Sequence, residues 1–457
     1  MATESQRSLK LTLDTHLRIK GLAREDPVVA LICNAATVEN PDWKVAKREK
    51  IRGVQQWIRM FGWKGDQLVL PRGMYKNIFA GFERLGITTD TIDHMKYGNV
   101  STIDAKTTVL HEFQSTVVDA VFRAGAPGGI IESPPGSGKT VMAIGFIVGS
   151  GSYPAVVYVD RINLIDQWKK AIEMVAPTNA PIDVVTVQSG FDNLTHPIGM
   201  YSTVVLDECH HIAARTYLGV MQTFPAAFRL GLSATPDKVG TLAVAKAVLG
   251  PMIVDVPSEH LIALGYIRRA HVQIVETQYE FMYFSSHHDE YGIFVRNNYA
   301  AMMKDLVRDK RRNWLIVNEA TKASREGRAT IVISRAKLHL KALEKMFPEE
   351  VKVSMLTGEE TAREREEIVS TVDSGDVVLS TLADEALDIP RLDTMVLAYP
   401  ASNLDAVKQQ IGRIERVHPE KKSPKVIDIV DPRIGVLRFQ AYKRRVQLYN
   451  AEGYAVV

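Results

Sequence analysis

The stretch "IIESPPGSGKTVMAIGFI", residues 130–147, decides how this chain is read. A short apolar run enters a loop of Pro, Gly and Ser, and Lys139 and Thr140 then open a pattern of helical period. Between a strand and a helix, such a loop wraps backbone N–H groups around an anion, and the helix offers its positive N-terminus to the same charge. Pro135, Gly136, Ser137 and Gly138 make the turn, and the two glycines permit close backbone approach and positive φ. In the phosphate-loop pattern Lys139 reaches the β- and γ-phosphates of a nucleotide and the Thr140 hydroxyl ligates Mg²⁺. Residue 133 is Ser where that pattern wants Gly, and a glycine-rich turn before a helix is the plain alternative.

Outward from the loop, short runs of Val, Ile and Leu alternate with helix-period segments. "GGIIE", "AVVYVD", "DVVTV", "TVVLDE" and "RLGLSAT" lie between residues 128 and 235 and lack polar alternation, as strands buried on both faces do. Residues 162–175 are helix-like. A second series follows residue 328: "ATIVISR", "VKVSML", "DVVLST", "DTMVLAY" and "KVIDIVD", with helical patterns at 361–371 and 403–411. The fold class is therefore α/β, with two similar parallel sheets covered by helices and no visible residue-level repeat. Residues 251–300 read as the crossover between them.

Three further elements carry chemistry. "TVVLDECHH", 203–211, ends an apolar strand in two carboxylates; Asp207 is placed to hold Mg²⁺ and Glu208 to polarise an attacking water, although a solvated turn fits the same residues. Cys209, His210 and His211 lack a second Cys or His pair at zinc-ligand spacing. "LSATP", 232–236, is a strand end with two hydroxyls or a simple Ser/Thr turn. In "QQIGRIER", 409–416, Gln409, Arg413 and Arg416 recur at helical spacing, and a planar guanidinium suits a γ-phosphate; a solvated charged helix is the alternative.

The chain's 457 residues exceed one ordinary core. With 46% hydrophobic and 24% charged residues the composition is that of a folded soluble protein, and the net charge of +3 selects no partner. Two cysteines exclude a disulfide framework and suit a reducing compartment. "VVALICNAA", 28–36, falls short of a membrane span, so no secretion signal or membrane anchor is expected. Residues 41–76 interleave Lys44, Lys47, Arg48, Lys50, Arg52, Arg59, Lys64, Arg72 and Lys76 with Trp43, Trp57, Phe61, Trp63 and Tyr75. That cluster is either a solvated basic surface over core aromatics or a nucleic-acid platform.

Taken in order, the phosphate loop, acid pair, Ser-Ala-Thr turn and Gln/Arg helix resemble the superfamily 2 helicases and translocases over about residues 107–432. The resemblance implies two tandem RecA-like parallel-sheet domains forming an ATP cleft, behind a small N-terminal accessory domain. The boundaries expected are 1–100, 101–262 and 263–457, the last ending in a C-terminal helix. It implies a DExH-type enzyme that uses ATP and Mg²⁺, with catalytic Lys139, Asp207, Glu208, Gln409, Arg413 and Arg416. "LHEFQ", 110–114, resembles the adenine-reading segment, making Gln114 its sensor, with His111 where relatives often have Arg. "VVYVDRINLIDQW" and "TVQS" are similar to motifs that grip a nucleic-acid backbone, implying contacts from Arg161, Gln188 and Ser189. "STLADEALDIPRLD", 380–393, resembles a motif that touches both strand and nucleotide, implying Thr381 for the strand and Asp388 for the nucleotide. The resemblance further implies that His210 couples hydrolysis to motion through Ser233 and Thr235.

"ENPDWKVAKREKIRGVQQWIR" and "LVLPRGMY" are similar to the region preceding the motor in phage UvsW-type branch-migration helicases, related to XPB. That likeness implies an ATP-dependent DNA helicase or translocase that remodels forks, D-loops and Holliday junctions in recombination, repair and replication. Lys47, Arg48, Trp57 and Trp63 would then meet branched or duplex DNA. An RNA helicase, or a duplex translocase that separates no strands, shares the same motor motifs. A cytoplasmic monomer is expected, in the host cytoplasm if phage-encoded.

Overall fold

The computed structural model describes residues 8–41, 43, 46–47, 51–98, 110–235, 240–281, 294–381 and 389–457, with backbone alone at 294–298 and 362. The chain divides into two compact units: Met1–Pro134 with Gly138–Pro257, and Ser258–Val457 with Pro135–Ser137.

The first unit begins with a small mixed sheet. Its strands β1 (Ser8–Leu13), β2 (His16–Lys20), β5 (Gly62–Lys64), β6 (Gln67–Pro71) and β7 (Thr88–Asp93) lie in the order β5-β6-β2-β1-β7; a separate pair, β3 (Thr37–Glu39) and β4 (Trp57–Arg59), stands beside it. Strict alternation sends Leu9, Leu11, Leu13, Leu17, Ile19, Leu68 and Leu70 to one buried face, closed by Ile32, Ile78 and Phe82 from two helices. Arg72 is not the surface cation its charge suggests. It is fully buried, donates to the carbonyls of Asp14 (2.8 Å) and Ala226, and burial pushes its pKa down to about 10. Lys76 likewise donates to the Ala124 carbonyl. Arg229, also fully buried, completes the joint by donating to Thr15 (2.8 Å), Phe224 (3.0 Å) and Val248 (3.3 Å) carbonyls. A Cβ on Gly73 would stand 2.6 Å from the Ala247 and Lys246 carbonyls and the Gly250 amide, so only glycine permits this approach. The basic cluster read at 41–76 is thus split: part of it bolts the small sheet down, and part faces solvent.

The larger sheet of this unit is all parallel, in the order β10-β9-β11-β12-β8-β13. These strands are β8 (Gly128–Glu132), β9 (Ala155–Val159), β10 (Ile182–Thr186), β11 (Thr203–Leu206), β12 (Phe228–Ser233) and β13 (Met252–Asp255). Every residue of β9 and β11 is buried, which is why β9 reads as an unbroken apolar run and β11 as one after Thr203.

The second unit holds seven parallel strands in the order β16-β17-β15-β18-β19-β14-β20. They are β14 (His271–Glu276), β15 (Thr330–Ile333), β16 (Val353–Leu356), β17 (Val377–Ser380), β18 (Thr394–Leu397), β19 (Lys425–Val430) and β20 (Ala455–Val456). Both sheets are RecA-like. The crossover reading of 251–300 was too coarse: β13 completes the first sheet and β14 sits inside the second. The helix Lys310–Arg325 closes the carboxyl edge of the second sheet. Its Arg312 takes Asp431 in a two-pronged grip (2.9 and 3.1 Å) and donates to the Ala398 carbonyl (2.8 Å), and Asp431 also accepts from Thr277 (2.6 Å). Asn313 Oδ1 contacts His339 Nε2 at 2.9 Å, and His339 Nδ1 contacts Ser334 Oγ at 2.8 Å, all buried. Among the described residues no helix is long and apolar enough to cross a membrane.

Candidate active site

The first parallel sheet collects its polar residues along one edge. β8 runs into the Pro-Gly-Ser loop, whose Gly136 (φ +85°) and Gly138 (φ +84°) take the left-handed backbone open to glycine as the loop turns into the helix Lys139–Ser150. Lys139 Nζ donates to the Ser133 and Pro134 carbonyls, at 2.9 and 3.3 Å. Thr140 is the second residue of that helix. Ser133, the departure from the glycine pattern, has a buried hydroxyl with no hydrogen-bond partner among the described residues. Gln114 is buried; its Oε1 accepts from the His111 amide (3.0 Å), and its Nε2 occupies the place where a Cβ on Gly138 would go. The residue expected to read adenine therefore packs on the loop itself.

Asp207 and Glu208 follow β11, and Glu208 holds φ +47°, an uncommon conformation for a residue with a side chain. Asp207 Oδ2 accepts from Trp168 Nε1 (2.8 Å), while its Oδ1 accepts from the Glu208 amide (3.0 Å). Burial, with the Glu208 charge beside it, pushes the Asp207 carboxyl up to about 6. Burial would raise Glu208 too, but the hydrogen bond from His210 and the Lys139 charge outweigh it and hold this carboxyl below its ordinary value. His210 Nδ1 stands 3.2 Å from Glu208 Oε2 and 3.2 Å from Ser233 Oγ. The Thr235 amide donates to the same Ser233 oxygen (3.1 Å), and the buried Thr235 hydroxyl has no hydrogen-bond partner among the described residues. Acid pair, imidazole and Ser-Ala-Thr turn thus lie in a row of close contacts, with His210 and Ser233 buried and the two carboxylates half-buried.

In the second unit Gln409 and Arg413 lie on the helix Leu404–Ile414. Arg416 does not share that helical face, as its spacing had suggested. The helix stops at Ile414, and Arg416 is paired with Ile267 in an antiparallel bridge instead. Thr381, just past β17, donates to the Thr357 carbonyl (3.0 Å). Asp388 and Arg48 lie outside the described residues.

The residues expected to meet nucleic acid are scattered. Arg161 precedes the helix Ile162–Val175, 3.4 Å from its neighbour Asp160. Gln188 is exposed, and Ser189 is bound into a turn by Thr186 (2.7 and 3.2 Å). On the accessory sheet, alternation along β4 leaves Trp57 and Arg59 outward while Ile58 packs on the core of the neighbouring parallel sheet. Arg24 stacks over the Trp63 ring at 5.2 Å, and Lys47, Arg52 and Lys64 are exposed.

Residues 104–238 match the family model for the type III restriction enzyme res subunit, and residues 312–418 match the helicase conserved C-terminal domain. The chain belongs to the superfamily 2 helicases. A DNA 3'-5' translocase, XPB2, of Sulfurisphaera tokodaii is 24% identical to this helicase over 74% of its chain and 84% of the relative. A mimivirus protein of Acanthamoeba polyphaga, named for an ATP-dependent RNA helicase, L396, is 23% identical over 86% and 79%. Among solved structures, the type ISP restriction-modification enzyme LlaBIII bound to DNA aligns with a TM-score of 0.54 and 14% identity, over 90% of this chain and 34% of that one. T4 UvsW aligns over 98% of both chains with 16% identity and a TM-score of 0.39.

Sequence reasoning missed two groups in this helicase. Trp168 orients Asp207; its signal was present, since it falls on the buried stripe of its helix with Leu164 and Val175. Arg72 and Arg229 gave none, because an arginine in a sequence implies surface.

Proposed function

We propose that this helicase hydrolyses ATP to remodel branched DNA, as forks, D-loops or Holliday junctions, in recombination, repair and replication. For hydrolysis the carrying observation is the row of contacts Trp168, Asp207, Glu208, His210, Ser233 beside a lysine-bearing phosphate loop. The left-handed glycines and the Ser133 hydroxyl, without a hydrogen-bond partner among the described residues, fit a phosphate cradle, and two adjacent half-buried carboxylates fit a divalent cation. Thr140 and Asp207 would hold Mg²⁺, which when bound supplies positive charge to the phosphate oxygens.

The chain's own residues do the rest. Lys139 binds the nucleotide's terminal phosphates together with the amides of Gly136, Ser137 and Gly138. Glu208, kept ionised by His210 and Lys139, accepts a hydrogen bond from the attacking water. Arg413 and Arg416, with Gln409, stabilise the charge on the transferring phosphate. His210 passes the state of Glu208 to Ser233, and through its hydroxyl to Thr235. Trp57, the Arg24–Trp63 stack and the exposed Lys47, Arg52 and Lys64 suit a nucleic acid, since cations neutralise phosphates while rings meet an unpaired base, and the name of the XPB2 relative favours DNA. The boundaries 1–100, 101–262 and 263–457 remain the proposed domains.

The test is ATP-dependent dissociation of a synthetic four-way DNA junction, with Lys139→Ala as the inactive control and an RNA duplex as comparison. Dissociation of the junction, weakened by Trp57→Ala, is expected. The mimivirus relative's name favours a second reading, RNA, and success on RNA with failure on DNA would establish that one. ATP hydrolysis stimulated by duplex DNA without strand separation would point to a translocase instead.

A further inference from the structure

Arg416 lies two residues beyond the helix that carries Gln409 and Arg413, so something other than helical hydrogen bonding must fix it. Glu415, between the two arginines, supplies a specific clamp. Its backbone carbonyl accepts from the Arg268 amide (2.8 Å), and its side-chain Oε1 accepts from the Ala270 amide (2.9 Å). Ile267 and Arg416 pair on the same short antiparallel stretch. Glu415 is buried, as are Ile267, Ala270 and Ile414 around it. The clamped segment, Ile267–Ala270, is where the chain turns into β14 after crossing from the first unit at Pro257. Arg269 in that segment also pairs with Glu259 (2.9 Å) on the helix Ser258–Ala263, with Gly265 (φ +77°) between them.

An acidic residue between two phosphate-binding arginines would oppose their work if it faced the same anion. Here it is withdrawn into the core and used as a hydrogen-bond acceptor. Burial pushes its carboxyl up to about 7 despite the Ala270 amide and the Arg269 charge. A neutral side chain with an acceptor oxygen should therefore serve as well as a charged one.

We propose that Glu415 is a positioning residue that fastens Arg416 to the segment through which the chain enters the second sheet, and so sets this arginine for contact with the transferring phosphate. The proposal rests on the reading of Arg416 as a phosphate-binding residue. A displacement of about 1 Å in such a group costs up to about a hundredfold in rate.

The experiment measures steady-state ATP hydrolysis with saturating nucleic acid for the full chain and for Glu415→Ala, Glu415→Gln and Arg416→Ala. The expected result is a tenfold to hundredfold fall in kcat for Glu415→Ala, with the KM for ATP within about twofold of the parent. Glu415→Gln should restore kcat to within about threefold, since its amide oxygen still accepts from Ala270. Parental kcat in Glu415→Ala alongside loss of turnover in Arg416→Ala would overturn the proposal and leave the arginine's role intact. A Glu415→Gln variant as poor as Glu415→Ala would overturn it as well. Parental turnover in Arg416→Ala would remove the underlying reading itself. Hydrogen exchange on the unsubstituted chain needs no variant to fold: the Arg268 and Ala270 amides should exchange as slowly as the helix Leu404–Ile414, and fast exchange at both would count against the clamp.

Discussion

The carboxyl edges of the two parallel sheets are built from similar strands and treated in opposite ways. Along the second sheet, Thr277, Ser334, Ala398 and Asp431 are tied together by Arg312, Asn313 and His339, all within the protein. Along the first, the Ser133 and Thr235 hydroxyls are buried without hydrogen-bond partners among the described residues, and Glu208 sits at positive φ. Buried polar atoms are normally satisfied, and strain persists only where surrounding structure enforces it. One edge satisfies its own polar groups; the other, on the function proposed above, is completed by its nucleotide.

That contrast breaks most visibly at Lys139. On the proposed reading of Lys139 as a phosphate ligand, Lys139→Ala should lower ATP hydrolysis by about a thousandfold with little change in melting temperature, because its own hydrogen bonds reach only the Ser133 and Pro134 carbonyls of the adjoining loop. A cooperative loss of structure in that variant would put the first edge in the scaffold class. Arg312→Met should do the reverse, leaving Asp431 buried without its cation and costing about 3–5 kcal/mol in denaturant unfolding. A variant as stable as the parent would mean the second edge is not held by this pair.

Trp168→Phe keeps most of the volume and removes the donor to Asp207. It should cost about 1.5–3 kcal/mol of activation free energy in hydrolysis, roughly ten- to a hundredfold, read as kcat. The acid response of the second edge is smaller. Burial and the Arg312 charge hold His339 down to about 3, against an ordinary 6.5. The unfolded chain takes up a proton below pH 6.5 while the folded one refuses it, so stability is unaffected above that pH and falls below it. Between pH 6.5 and 5 the loss should reach up to about 2 kcal/mol, and His339→Gln should flatten the slope. Ser133→Ala should be the mildest change, leaving stability equal or up to about 1 kcal/mol higher, since it deletes a buried hydroxyl that has no hydrogen-bond partner among the described residues.

How much of this was written in the residues differs by region for a physical reason. Strands such as β9 and β11, buried on both faces, take apolar side chains at nearly every position and so announce themselves. β14 has one fully buried residue among six, and β13 has only four residues, so both passed as connection. The phosphate loop was legible because its chemistry constrains glycine, lysine and hydroxyl at fixed spacing. Arg416 was placed on a helical face because spacing cannot show where a helix ends when a bridge to a distant segment takes over. The small first sheet, with strands as short as three residues, left only its charge to read, and that charge misled at Arg72.

β12 has a further consequence. Arg229, near its start, reaches into the joint that seats the small sheet, and Ser233, its last residue, touches His210. Four residue steps of extended chain, about 13 Å, separate them. A one-residue insertion within that strand would swap inward for outward side chains and break both ends together. The spacing acts as a ruler: any transplant of a foreign accessory fold onto this motor must keep its length.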